Sequence, residues 1–313
     1  ICKAYGIPGS KIIYSGVNKE SEDVTEAFEY GVDITTAESI LHVELEQEAA
    51  KKADKQQRVI LRLTSGNQFG MSEADILSIL ANQAKYQNLD IYGIHYYSGT
   101  QKKKRQIDRD FEKLDAALTR FKEETGFVPK LVEMGPGFPV DYFNPPYDET
   151  EEATLGENKS TILAFAEKYP LGIEMGRYLA APCGTYASRV MDIKNNSDTN
   201  YIICDGGIHH LKYHGQTMAM QIPEMEVLNA SAETKPYCIC GSLCTVADVL
   251  VREVELPIVS RNDVILFHRC GAYSVTEGSA LFLSRKMPEA VGLEKMRGFI
   301  DTASINRNSI CQG

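Results

Sequence analysis

The chain has 313 residues, 43% hydrophobic and 24% charged, with a formal net charge of -10. That length suits one large domain or two medium ones, and the acid excess leaves no surplus of Lys and Arg to displace counterions from a nucleic acid. No apolar run reaches the ~18 residues of a membrane helix, and eight cysteines over this length are too sparse for a disulfide scaffold. The expected setting is cytoplasmic and reducing, with neither nucleic acid nor membrane as partner. The chain starts at Ile1 with no initiator Met or signal peptide, which reads as an interior position.

Residues 1–180 alternate short apolar runs with longer helical patterns, the signature of a parallel α/β fold. Strands are expected at residues 11–15, 32–35, 59–64, 91–95, 130–134 and 171–174. Helices are expected at residues 22–30, 37–52, 72–84, 106–124 and 160–169, the third opened by Ser72 with Asp75 as an N-cap pattern. A closed barrel of this kind has eight strands, so six make a partial (β/α) barrel. Lys102, Lys103, Lys104 and Arg105 open a helix and read as a solvated face, or else as a surface meeting an anionic substrate. The acidic run 148–152 reads as a loop after Pro145 and Pro146.

From residue 181 the pattern changes to strand-like runs at 186–193, 201–204, 218–222, 236–239, 252–259 and 264–268. Asp205-Gly206-Gly207 and Arg261-Asn262-Asp263 supply turns between them. An antiparallel β domain over 181–313 is expected after the barrel domain of 1–180. Cys238, Cys240 and Cys244 are the only cysteine cluster. With His209, His210 and His214 they could form a zinc site, but thiols on strands are the plainer reading and no metal is expected.

The chemistry concentrates in five strings. Catalytic side chains of a (β/α) barrel leave the C-terminal ends of its strands, and three strings fall there: His95 ends one strand, Gly135-Pro136-Gly137 follows another, and Glu174 ends a third. A lone His at a strand end is usually structural, Gly-x-Gly is usually a tight turn, and Glu174 with Arg177 can be an ordinary ion pair. Together they form a ring-stacker, a backbone nest for phosphate, a carboxylate that keeps a pyridine nitrogen protonated, and a forked phosphate donor. Arg62 is a charge inside an apolar strand and needs a partner, a cofactor oxygen being one option. Cys244 and Tyr273 add a thiol and a phenol. These are the groups a pyridoxal phosphate enzyme needs.

In motif content and motif order the chain resembles the group IV, fold type III pyridoxal phosphate decarboxylases, the ornithine/diaminopimelate type. They share with alanine racemase a (β/α)8 barrel followed by a β domain. The resemblance implies that His95 stacks on the pyridine face and that Ser98, Gly135, Pro136, Gly137, Arg177 and Tyr273 surround the phosphate. Glu174 would face the ring nitrogen, and Pro136 replaces the family's middle glycine, removing one N–H donor. Cys244 matches the thiol that protonates the substrate carbon, delivered in the family across a homodimer interface. Thr245 stands where many members carry an acid that holds a distal amine. With Val246, Ala247, Asp248 and the Asp205-Gly206-Gly207-Ile208-His209-His210 string, it is more similar to a branch that includes decarboxylases of carrier-linked amino acids. Thr245 and Asp248 are the expected substrate contacts.

The family's Schiff-base lysine lies on the first barrel strand, which the resemblance places upstream of Ile1 together with the two missing strands. Lys3 is not that lysine, because the roughly eight residues between it and the strand at Ile12 cannot hold a helical crossover. The expected activity is decarboxylation of a small-molecule or carrier-linked amino acid. The alternatives are a racemase on the same fold, in which an arginine usually faces the ring nitrogen, and a binding protein that has lost the chemistry.

Overall fold

The structure, a computed structural model, describes residues 1–228, 231–294 and 298–300. It divides into two compact units, Ile1–Pro139 with Glu152–Met175, and Val140–Glu151 with the described residues from Gly176 onward.

The first unit contains six strands, β1 (Ile13–Tyr14), β2 (Ile34–Ala37), β3 (Gln57–Leu63), β4 (Leu89–Tyr97), β5 (Leu131–Gly135) and β6 (Leu171–Ile173). They form one sheet in chain order with every pair parallel. The helices are α1 (Ser21–Tyr30), α2 (Ile40–Lys52), α3 (Glu73–Ala81), α4 (Lys104–Thr125) and the part of α5 (Tyr147–Ala166) from Glu152 onward. A parallel sheet needs such crossovers, and they cover its faces. β3 is accordingly buried at every residue but Arg58. Along α4, Ile107, Phe111, Leu114, Leu118 and Phe121 recur at helical spacing and form its buried stripe. Ser72 and Asp75 close a full capping box on α3. Lys3 lies in a short 3-10 turn closed by left-handed Gly6, outside any strand.

Two expectations for this half need correction. α5 begins at Tyr147, well before residue 160, so the acidic run 148–152 lies in its first turns rather than in a loop. Carboxylates are favoured there by the helix dipole, and such a polar start carries no apolar period to read. Lys102 is not part of a solvated face. It is 5% exposed, with its ammonium 2.6 Å from Asp110 of α4.

The second unit opens with helix α6 (Gly176–Ala180) and continues as β7 (Tyr186–Asn196), β8 (Thr199–Cys204), β9 (Met225–Val227), β10 (Thr234–Cys240), β11 (Val249–Pro257) and β12 (Val264–Phe267). These strands form a sheet in the order β11-β10-β8-β7-β12-β9. It is mixed rather than antiparallel, because β8 and β10 run parallel. The long connection between them lets the chain return in the same direction, as parallel pairing requires. Residues 218–222 are not a strand: Met218 and Ala219 take positive φ in a turn, and the short strand follows at β9. No helix among the described residues is long and apolar enough to cross a membrane.

Candidate active site

The register of the parallel sheet lines up ionisable side chains. Arg62 on β3 is opposite His95 on β4, and His95 is opposite Glu133 on β5. The Glu174 N–H, just past β6, donates to the Met134 carbonyl at 3.0 Å. At the other end Glu38 follows Ala37, which pairs with Leu61, so Glu38 reaches Arg62. A row Glu38, Arg62, His95, Glu133, Glu174 therefore crosses one face of the sheet towards its C-terminal edge.

Each member has a definite state. Arg62 and Glu38 form a short, buried ion pair, and the guanidinium lies over the Phe69 ring at 5.0 Å. The partner that the structure gives Arg62 is Glu38. His95 is buried, and its Nε2 lies 3.1 Å from Glu174 Oε1, an ion-pair distance. Neither ring nitrogen has a hydrogen-bond partner, so the His95–Glu174 contact is not an aligned hydrogen bond. Glu133 is 9% exposed with its Oε2 unpartnered. The reactive atoms of His95, Glu133 and Glu174 all lie within 4.8 Å of one another.

Burial, then the Glu174 charge and a hydrogen bond to it, push the Glu133 carboxyl up to about 8. Burial acts the same way on Glu174, but the His95 ring, Glu133 and Arg62 outweigh it and hold that carboxyl below its usual range. Glu174 is consequently the ionised member, with its side chain 39% exposed. Beyond the far end of the row, Lys19 is buried with its amine donating to the Gly16 carbonyl at 2.9 Å. Burial lowers its affinity for a proton, against the charges of Glu46 and Glu38.

Two loops beside this row approach closely. Gly137 has φ +67, and a Cβ there would lie 2.0 Å from the Gly99 carbonyl oxygen. The Lys102 N–H donates to the Gly137 carbonyl at 3.0 Å. Ser98 donates to Asp110 at 2.7 Å and accepts from the Lys102 ammonium, so Asp110 and Lys102 fix both loops at once. Gly135 is packed against the Tyr97 ring, where a Cβ would meet Cδ2 at 2.5 Å. Pro136, between the two glycines, offers no N–H.

The second unit assembles its own expected residues. Arg177 of α6 donates to the Tyr142 hydroxyl at 3.0 Å, has Glu277 at 3.7 Å, and lies over the Tyr273 ring at 4.9 Å. Tyr273 itself has φ +60, an uncommon conformation for a bulky residue. Cys244 and Val246 are exposed in the loop between β10 and β11, Val246 at 99%. Thr245 accepts from the Ala247 N–H at 3.3 Å. Asp248, expected as a substrate contact, is held by the backbone. It is 3% exposed, and its carboxylate accepts from the Ile208 N–H at 2.8 Å and the Leu243 N–H at 2.7 Å.

Sequence reading passed over Glu38, Glu133, Lys102 with Asp110, and Tyr142. Glu133 had a signal: like Arg62, it is a lone charge in an apolar strand. The others had none, since their significance is a partner distant in sequence.

The parallel sheet brings a buried ring, a carboxylate and a close glycine turn to adjacent strand ends, an arrangement chemically able to hold a flat, anionic heterocycle. The comparisons agree. Residues 30–271 match the family model described as pyridoxal-dependent decarboxylase, C-terminal sheet domain, and the chain belongs to that family of pyridoxal phosphate-dependent carboxy-lyases. It is 27% identical over 314 residues to the L-glutamyl-[BtrI acyl-carrier protein] decarboxylase of Niallia circulans, covering 90% of this chain and 72% of that one. It is 26% identical over 298 residues to the diaminopimelate decarboxylase of Zymomonas mobilis, covering 88% and 68%. Among solved structures, the diaminopimelate decarboxylase of M. jannaschii in complex with L-lysine superposes with a TM-score of 0.82 at 22% identity, covering 95% and 72%.

Proposed function

We propose that this chain belongs to an enzyme that decarboxylates an amino acid with pyridoxal phosphate, and that the six parallel strands are consecutive strands of an alanine-racemase-type (β/α)8 barrel. The observation that carries the reading is the Glu174 carboxylate 3.1 Å from the buried His95 ring at adjacent strand ends. When bound, the cofactor supplies an electron sink for the bond that loses carbon dioxide. His95 offers it a flat face, and Glu174 accepts the hydrogen bond of a protonated ring nitrogen. The Gly137 turn and the Ser98 hydroxyl offer backbone room and a polar group to the phosphate. Arg177 and Tyr273, which begin and line the second unit's cluster, are the phosphate's cation and phenol. A carboxylate rather than an arginine at the ring nitrogen favours decarboxylation over racemisation.

The exposed Cys244 is the proton donor to the substrate carbon, and a thiol so exposed in one subunit fits delivery into the site of a partner in a homodimer. Thr245 leaves no charge for a distal substrate amine, which favours a carrier-linked or amine-free substrate. Asp248 serves the loop that presents Cys244 rather than the substrate. Borohydride reduction of the full-length protein followed by mass spectrometry tests the reading. A lysine carrying reduced pyridoxal phosphate is expected; absence of any adduct after incubation with the cofactor defeats it.

Two further results are expected. Gly137→Ala forces a Cβ into the Gly99 carbonyl at a left-handed φ, so pyridoxal phosphate should bind at least about tenfold more weakly, about 1.4 kcal/mol, in an absorbance titration. Asp248→Ala removes two charge-assisted bonds to backbone N–H groups, and chemical denaturation should register a loss of about 2–4 kcal/mol.

A further inference from the structure

We propose that Glu133 is the proton-holding partner of Glu174: the two carboxyls share one proton, and the pair, rather than Glu174 alone, sets the protonation of a ring nitrogen bound there. The inference rests on the cofactor reading above and concerns a residue outside the expected site set. Geometry carries it. β5 places Glu133 directly opposite His95, its reactive oxygen lies within 4.8 Å of those of His95 and Glu174, and it is buried with Oε2 unpartnered. Two carboxylates so close do not both ionise in a buried setting without cost. The ionisable groups facing the pair are His95 from β4 and Arg62 from β3, and Arg62 is paired with Glu38. Among the described residues, the Arg62 charge bears on Glu174 but is shared with Glu38 and does not offset a second buried anion, so a shared proton is the stable arrangement.

The pair works as a reserve. With the proton on Glu133, Glu174 alone is the anion facing the ring. As pH rises, the proton leaves Glu133 for solvent, and the second negative charge holds the ring-nitrogen proton in place. The sheet thus protects the cofactor's protonated form against alkaline pH.

The test uses Glu133→Gln in the full-length protein, with two readouts. The first needs no cofactor. A carboxyl whose folded value is near 8 against an ordinary 4.5 binds its proton more tightly when folded, so its contribution to stability is present at low pH and is lost between about pH 4.5 and 8. Glu133→Gln should flatten that part of the stability–pH curve of the apoprotein. Glu174→Gln, which removes the like charge, should flatten it too. Glu46, fully buried and raised to about 7, contributes the same slope in all three proteins and cancels on comparison. The second readout is NMR of the holoenzyme carrying isotope-labelled pyridoxal phosphate. The ring nitrogen should lose its proton about one pH unit or more lower in Glu133→Gln than in wild type. An unchanged stability slope in either folded variant, or an unchanged ring-nitrogen midpoint, overturns the proposal. Failure of wild-type protein to bind the cofactor instead overturns the functional reading, while the apoprotein slopes still decide the proton pair.

Discussion

Glu174→Ala should lower kcat by about 10²–10⁴-fold, the range in which a positioned proton-holding group contributes, with the fold retained. The carboxylate lies past the end of β6 with its side chain partly in solvent, so little packing is lost on truncation. What is lost is the ionised group beside His95. Glu133 remains on β5, and without the neighbouring charge it gives up its proton more readily, but burial still holds its carboxyl above the usual range and it does not occupy the Glu174 position. The effect should fall on kcat more than on KM, because the carboxylate acts on charge that develops during the reaction rather than on substrate affinity. Steady-state release of carbon dioxide, with circular dichroism as the control for folding, provides the check. Turnover within about threefold of wild type would refute the assigned role. Glu174→Asp, retaining the charge on a shorter arm, should fall between the two.

Cys244→Ala should reduce turnover on the same scale, and the more telling result is obtained by mixing. In the proposed homodimer each site draws its thiol from one subunit and its Glu174 from the other. A heterodimer of Cys244→Ala and Glu174→Ala chains then has one site with both defects and one with neither. Random exchange of equal amounts should restore about a quarter of wild-type activity, since half of the dimers are mixed and each has one sound site. The exposure of Cys244 and of Val246, which is 99% accessible at the loop tip, motivates the experiment, because it leaves the thiol open to a partner subunit's site in the proposed homodimer. Absence of rescue after demonstrated exchange, or full activity in a monomer shown by sedimentation, would defeat the shared site. Cys244→Ser, which keeps a weaker acid at the same place, should retain more activity than alanine and shift the pH profile.

Periodicity in the sequence was sufficient to locate every strand of the parallel sheet. β3 and β4 are apolar runs, α4 repeats its apolar residues at helical spacing, and Ser72 with Asp75 marks a helix start; these signals are local, so they survive without tertiary context. Motif order likewise placed His95, Gly135, Gly137 and Glu174 at strand ends. What local signals could not supply was pairing across the chain. The parallel contact between β8 and β10 depends on how a long connection returns, and no run of residues encodes its direction. Arg62 announced that it needed a partner but not that Glu38, just past the end of β2, was the one. Lys102 looked like its basic neighbours until Asp110, eight residues on in α4, drew it inside, and nothing local announced that two backbone amides would hold the Asp248 carboxylate. The proton pair is the fullest case. Nothing in the sequence pairs Glu133 with Glu174, and only the register of β4, β5 and β6 brings them together, where desolvation and like charge make one keep its proton so that the other can give it up.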